Sequence, residues 1–136
     1  MDSLATLSRE ECLRGLASHS LGRLAVTAHA LPVIVPIHYS LANDVIVFRA
    51  LVGGMVARAC DGSVVAFQVD NLGRDDGTEW SVLVVGLAAL LGATDALRAL
   101  PLPAVSAPGK GPDQFVGITI GQISGSPLGA GTGPFH

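Results

Sequence analysis

The sequence has few charged residues, few aromatic residues and little cysteine. Asp, Glu, Lys and Arg make up 14% of its 136 residues, aromatic residues make up 4%, and two residues are cysteines. Soluble domains usually contain about 25% charged residues. The low charge content of this chain therefore gives little electrostatic repulsion to oppose its association with other proteins. We therefore expect it to bury apolar surface against a second copy of itself, as a homodimer.

The distribution of charge and hydropathy argues against two classes of partner. The net charge is −3 and the eight Lys and Arg residues are spread singly, so the chain has no basic face for nucleic acid. No segment approaches the roughly 20 apolar residues of a membrane span, and the N-terminal segment lacks the pattern of a signal peptide. We expect a cytoplasmic protein that binds neither nucleic acid nor membrane.

The usual motifs of metal binding and covalent catalysis are also missing. The four histidines have no HxxxH or HxxH spacing and the two cysteines have no CxxC spacing, so no metal site is predicted. Cys12 and Cys60 fall in predicted helices and fit buried free thiols better than a redox pair. Ser81 has no neighbouring base in the sequence, and there is no Walker or Rossmann glycine pattern. Covalent catalysis by Ser81 is therefore not expected.

The sequence does contain alternating apolar and polar residues, which have the period of β-strands. This alternation predicts strands over residues 21–29, 32–41, 44–50, 63–70, 79–91 and 114–123. The run at 79–91 would also suit a buried helix, but the β-branched residues at its centre favour a strand. Short helices are predicted over residues 9–17, 55–60 and 94–100, the first with a capping box formed by Ser8 and Glu11. The pattern predicts a small, mainly β, antiparallel barrel.

Two proline-containing segments need separate interpretation. Pro36 lies inside a predicted strand and cannot donate to a ladder, which implies a sheet edge, a bulge or an opening toward a ligand. Residues 101–112 are proline-rich and irregular, and the sequence leaves their role open. We expect one domain over residues 1–123 and a loose tail over residues 124–136.

The two faces of the first three predicted strands differ in character. If both connecting loops have even length, even positions of the second strand share a face with odd positions of its neighbours. One face is then almost entirely apolar, while the other carries Arg23, His38 and Arg49 toward one end, together with Ile34 and Pro36. The charges repel one another by about 1 kcal/mol each unless an anion lies between them. The face is either simply solvated, or it is a dimer interface or a ligand surface.

The order of five segments resembles a known family. The segments are PVIVPIHYSL, VIVFRA, a Gly-Gly pair before a short helix, VVAFQVD and EWSVLVVG. Together they resemble the FMN-binding split β-barrel of the pyridoxamine 5′-phosphate oxidase type, in particular its small actinobacterial members similar to nitroimidazole-resistance and deazaflavin-dependent reductases. The resemblance covers residues 7–123. It implies a six-stranded antiparallel split β-barrel that dimerises, with two flavin sites in grooves between the subunits.

The resemblance also implies an activity and a set of site residues. The activity would be that of a flavin-dependent oxidoreductase, with hydride transfer between bound FMN, or alternatively deazaflavin F420, and a small-molecule substrate. The implied site residues come from three parts of the chain, and the resemblance leaves open whether one of the later strands comes from the partner subunit. The ring would lie beside Val35, Pro36, Ile37 and the candidate catalytic residue His38, the phosphate beside Arg49, Gly53, Gly54 and Met55, and further contacts would come from Gln68, Trp80 and Ser81.

Three of these residues have an alternative interpretation or a departure from the family pattern. His38 also fits an ordinary sheet residue, and Trp80 fits a core or interface anchor. The family usually reads Gly-Thr-Lys-Leu where this chain reads Gly53-Gly54-Met55-Val56, so a phosphate-binding cation worth about 1.5 to 3 kcal/mol is missing. Arg58, one helical turn along, could compensate in part. The sequence therefore also supports a barrel that has lost tight FMN binding and acts as a small-ligand binding protein.

Overall fold

The computed structural model of the chain describes residues 6–73, 75–103 and 112–128. All described strands belong to one antiparallel sheet with the order β2-β1-β5-β6-β7-β4-β3. The elements, in chain order, are α1 (Arg9–Ala17), β1 (Leu21–Ala28), β2 (Leu31–His38), β3 (Ser40–Ala42), β4 (Val45–Leu51), α2 (Met55–Cys60), β5 (Val64–Asn71), β6 (Glu79–Leu91), α3 (Asp95–Arg98) and β7 (Asp113–Leu128). This mainly β, open sheet is that of a split barrel, which confirms the predicted fold class.

The second predicted strand is divided into two, so the described sheet has seven strands where the sequence predicts six. Residues 31–38 pair with β1, whereas residues 40–42 pair with β4 at the other end of the sheet. Tyr39 lies between them, fully buried, and its hydroxyl donates to the Leu16 carbonyl on α1. Its own N–H donates to the Ser20 carbonyl at 2.9 Å. The ladder breaks because residue 39 bonds to the α1 region instead.

The break leaves β2 at one edge of the sheet, which confirms one of the three interpretations of Pro36. Pro36 and Pro32 pair with Arg23 and Thr27, four rungs apart in the β1–β2 ladder. An edge strand tolerates proline because the nitrogen without a hydrogen can point away from its only neighbour.

The predicted assignment of even and odd positions to the two faces of the sheet is confirmed. Leu24 pairs with Val35 across β1 and β2, and Leu41 pairs with Ile46 across β3 and β4. The apolar face therefore forms the core, in which the rings of Tyr39 and Phe67 meet edge to face with centroids 5.0 Å apart. The core also contains both free cysteines, and burial raises the pKa of the Cys60 thiol to about 11.

The last strand is longer than the sequence predicts. The strand β7 runs from Asp113 to Leu128, and its final five residues pair with Glu79–Leu83 of β6. The predicted boundary at residue 123 is therefore wrong, because main-chain hydrogen bonds hold even the small residues Ser124, Gly125 and Ser126 in the sheet. The absence of a side chain at Gly125 lets α1 approach, since a Cβ there would lie 2.8 Å from Cys12 Sγ. The rest of the predicted tail and most of the proline-rich segment, residues 129–136 and 104–111, lie outside the described residues.

The first helix begins as predicted. Ser8 Oγ accepts from the Glu11 N–H at 3.1 Å, and Glu11 Oε1 accepts from the Ser8 N–H at 2.8 Å, which is the expected capping box. None of the helices in the described part of the chain is long and apolar enough to cross a membrane.

A glycine substitution tests the packing of β6 against β7. Gly86 lies at the one register shift described between these strands, and a Cβ there would overlap the carbonyl oxygen of Thr119. We expect Gly86→Ala to lower the free energy of unfolding by about 1 to 3 kcal/mol, measured by urea denaturation, because a backbone atom cannot move aside easily. The matched control is Gly92→Ala, whose Cβ would meet no described atom within 4 Å. Equal effects of the two substitutions would contradict the described register.

Candidate functional site

The open side of the sheet contains a groove of about 310 Å³ between β2 and β4. This β2–β4 groove brings together six of the residues that the resemblance implies for a cofactor site. Its lining residues are Val35, Pro36 and Ile37 from β2, Arg49, Ala50 and Leu51 from β4, and Gly54, Met55 and Val56 at the start of α2. The structure therefore places Arg49 and the glycine turn opposite β2, as the resemblance implies.

The turn between β4 and α2 depends on its two glycines for different reasons. Gly53 has a φ of 73°, a left-handed conformation that glycine adopts without strain. Gly54 precedes α2, and its N–H donates to the Leu51 carbonyl at 3.0 Å. Gly54 lines the β2–β4 groove but Gly53 does not, so Gly53 positions the groove without forming its surface.

Arg49 is the only charged residue lining the β2–β4 groove among the described residues. Its Nη1 lies 3.5 Å from Asp113 Oδ2, and its guanidinium carbon lies 5.1 Å from the centroid of the Phe115 ring. The Arg49 side chain is 23% exposed, and its Nε is buried with no hydrogen-bond partner in the described structure. A buried donor without an acceptor costs about 1 to 3 kcal/mol. A phosphate in the groove fits this arginine through the exposed part of its side chain, whereas the buried Nε has no surface that a ligand could contact.

The predicted cluster of Arg23, His38 and Arg49 does not form. β1 and β4 are separated by β5, β6 and β7 in the sheet order, and each arginine has a carboxylate instead of a shared anion. Arg23 Nη1 donates to Asp70 Oδ2 at 3.1 Å, in a different groove of about 410 Å³. The sequence could not reveal these pairs because each arginine and its carboxylate are 47 or 64 residues apart.

The remaining site residues do not line the β2–β4 groove. His38 is exposed at the end of β2. Gln68 Nε2 donates to Ser81 Oγ at 3.1 Å on adjacent strands, so these two predicted residues pair with each other. Trp80 packs against α1, where a Cβ at Gly15 would lie 2.8 Å from its ring. The second interpretation of Trp80, as an anchor of the core, is thus the one that its contacts favour.

Arg58 lies in a third groove, of about 290 Å³, beside α2. This His29–Arg58 groove lies between the end of β1, the β1–β2 turn and the helix. Its lining residues are Thr27, Ala28, His29, Met55, Arg58 and Ala59. Met55 also lines the β2–β4 groove, so the two grooves meet at that residue.

A larger cavity of about 650 Å³ lies between the end of α1, residue 39 and the segment after α3. This cavity contains none of the residues that the resemblance implies. His19 Nδ1 lies 2.9 Å from Ser18 Oγ, and its ring meets Trp80 edge to face with centroids 5.0 Å apart. These contacts suit a packing role for His19.

Sequence comparison identifies the family. The family model described as pyridoxamine 5′-phosphate oxidase matches residues 8–126. The chain belongs to the pyridoxamine 5′-phosphate oxidase family. This confirms the resemblance that the segment order indicates. The uncharacterised protein Rv0080 of Mycobacterium tuberculosis is 39% identical over 87 residues, which are 60% of this chain and 57% of that relative. The match thus spans little more than half of the relative's length.

Two solved structures show the same architecture over most of this family member. An FAD-binding protein from Mycobacterium smegmatis has 26% sequence identity and a TM-score of 0.76, over 91% of this chain and 99% of that chain. An FAD-binding protein from Mesorhizobium loti has 25% identity and a TM-score of 0.68, over 90% of this chain and 94% of that chain.

The Arg49–Asp113 pair generates a prediction about anion binding. We expect Asp113→Asn to tighten the binding of inorganic pyrophosphate by about fivefold, because a partly exposed ion pair is worth about 1 kcal/mol at most and its loss frees the guanidinium. Isothermal titration calorimetry at fixed ionic strength measures the change. Asp70→Asn is the control, since it makes the same change beside Arg23. If both variants respond alike, the effect comes from net charge and not from Arg49.

Proposed function

We propose that the chain is a flavin-binding oxidoreductase whose β2–β4 groove binds the flavin ring beside β2 and the flavin phosphate beside Arg49. The observation that carries the proposal is the position of Arg49, which is the only charged residue among the described lining of a groove that contains six of the residues implied by the resemblance. The two FAD-binding neighbours, each matched over at least 90% of this chain, support a flavin as the ligand.

The lining of the groove suits a flat ring with a charged tail. Val35, Pro36 and Ile37 are partly exposed apolar surface on an edge strand, against which an aromatic ring system can lie. The edge of β2 also has unpaired main-chain groups toward the opening, because only β1 pairs with it in the described sheet. Polar ring atoms can hydrogen-bond to those groups. Arg49 then lies at the other wall, where it would bind the phosphate.

The chemistry in this proposal is hydride transfer between the flavin and a small molecule. A bound flavin supplies that redox chemistry itself, and the protein supplies orientation, electrostatics and exclusion of competing reactions. His38 ends β2 on the exposed side, close in sequence to Val35–Ile37, and we assign it a hydrogen bond to the substrate. FMN, FAD and deazaflavin F420 each carry a phosphate near the ring, so the Arg49 contact serves any of them.

A second function is favoured by the charge balance of the groove. Met55 takes the position of the family's lysine, and Asp113 already neutralises much of Arg49. Both features weaken the attraction of a phosphate. A small-ligand binding protein that no longer holds a flavin tightly is therefore the alternative, and it would take a less charged ligand in the same groove.

Flavin titration separates the two functions. We expect the purified chain to bind FMN with an absorbance band near 450 nm, roughly that of any oxidised flavin. Met55→Lys should raise FMN affinity by about tenfold or more, because a charge-assisted phosphate contact contributes about 1.5 to 3 kcal/mol. Met55→Leu is the control, since it preserves apolar character. If neither the native chain nor Met55→Lys takes up FMN, FAD or F420 at tens of micromolar, the alternative function replaces the first.

We also infer that the chain is a homodimer through the outward face of β2, β1, β5 and β6. Across this face Ile34 pairs with Ala25, Ala25 with Ala66, and Val64 with Leu87. Ile34 and Val64 are 68% and 70% exposed, which is high for β-branched residues in a sheet. A contiguous apolar face of this kind supports association with another protein surface, and a second copy would present the same face.

A charge placed on this face tests the dimer. We expect Val64→Glu to convert the chain to a monomer at micromolar concentration, because an unpaired carboxylate would have to be buried in the interface. Sedimentation equilibrium measures the mass. Val52→Glu is the matched control: Val52 is also exposed, at 52%, but lies in the turn after β4. A native chain that sediments as a monomer would contradict the inference directly.

A further inference from the structure

We propose that the His29–Arg58 groove binds the adenylate half of FAD, so that the chain takes the flavin dinucleotide in preference to FMN. This inference rests on the proposed function, because the flavin half of the same molecule would occupy the β2–β4 groove. It assigns a ligand to a second site, whose residues lie outside the set that the sequence places at the phosphate, apart from Met55 and Arg58.

The first argument is the continuity of the two grooves. Met55 lines both of them, and their volumes are similar, about 310 and 290 Å³. Met55 and Arg58 are three residues apart on α2, so their side chains share one side of the helix about 4.5 Å apart along its axis. A ligand that extends from Arg49 past Met55 therefore arrives at Arg58. A mononucleotide would leave this second space to solvent.

The second argument is the chemistry of the His29–Arg58 groove. Its lining includes a guanidinium, an imidazole and a hydroxyl, from Arg58, His29 and Thr27, and no carboxylate among the described residues. Within the described structure, neither the Arg58 nor the His29 side chain has a hydrogen-bond or ion-pair partner. Arg58 thus differs from Arg49, which forms an ion pair with Asp113. A phosphate at Arg58 would meet no competing anion in that lining.

The third argument is the match of charges. The terminal phosphate of FMN carries about 1.5 to 2 negative charges at neutral pH, as phosphate monoesters do. Each phosphate of the FAD diphosphate carries a single negative charge. Arg49, partly neutralised and without a lysine beside it, matches the FMN phosphate poorly. Two single charges distributed over Arg49 and Arg58 match the grooves better.

The experiment compares three flavins that differ only in their phosphates and adenylate. Riboflavin, FMN and FAD are titrated with the full chain by flavin fluorescence, for the native protein, Arg58→Ala and the control Arg14→Ala. Arg14 is also an exposed arginine in the last turn of a helix, so the control makes the same change in charge far from both grooves. We expect Arg58→Ala to weaken FAD by about tenfold or more and to leave riboflavin and FMN within about twofold of the native values.

The outcomes separate this inference from the proposed function. If the native chain binds FMN as tightly as FAD, or if Arg58→Ala weakens FMN and FAD equally, the adenylate site is wrong while flavin binding stands. An equal loss of FAD affinity in Arg14→Ala would also overturn it, because the effect would then be one of net charge. If none of the three flavins binds, the proposed function fails and this inference fails with it.

Discussion

The anchoring of Tyr39 is the constraint on which the open sheet depends. Its hydroxyl donates to the Leu16 carbonyl, its ring packs edge to face on Phe67, and its N–H bonds to Ser20. Burial raises the pKa of the phenol far above its usual range, so the hydroxyl stays protonated and remains a donor. A single unbroken strand over residues 32–41 would bond to both β1 and β4 and would close the gap. Because Tyr39 leaves the ladder, β2 and β3 end at opposite edges and the β2–β4 groove can exist.

The balance of charge in the grooves follows from a composition with little charge to distribute. In the described structure Arg23 pairs with Asp70 and Arg49 with Asp113, so two of the arginines that line grooves have carboxylate partners. A chain of this composition cannot surround a phosphate with several cations, as a lysine and an arginine together would. It can still hold an anion where a partly satisfied arginine lies in a partly buried space. Arg49 meets that description because its Nε is buried without an acceptor while its Nη1 contact to Asp113 is long.

The sequence predicts local features well and long-range partners poorly. The helix at Ser8, the edge position of Pro36 and the parity that pairs Leu24 with Val35 all follow from patterns within a few residues. The split at residue 39 does not, because its cause is a hydrogen bond to the carbonyl of residue 16, which no periodicity records. The sequence pattern does not predict the extension of β7 for a similar reason. Small residues join a sheet when a long neighbour such as β6 supplies the main-chain partners.

The site shows the same division between local features and long-range partners. The resemblance located the arginine and the glycine turn, but Asp113 and the groove around His29 depend on tertiary contacts. The edge strand β2 contributes to both the proposed ligand groove and the proposed dimer face. Val35 and Ile37 line the groove, while Ile34 lies on the dimer face. Since β2 has a hydrogen-bonded neighbour on only one side in the described sheet, either contact would reduce its freedom.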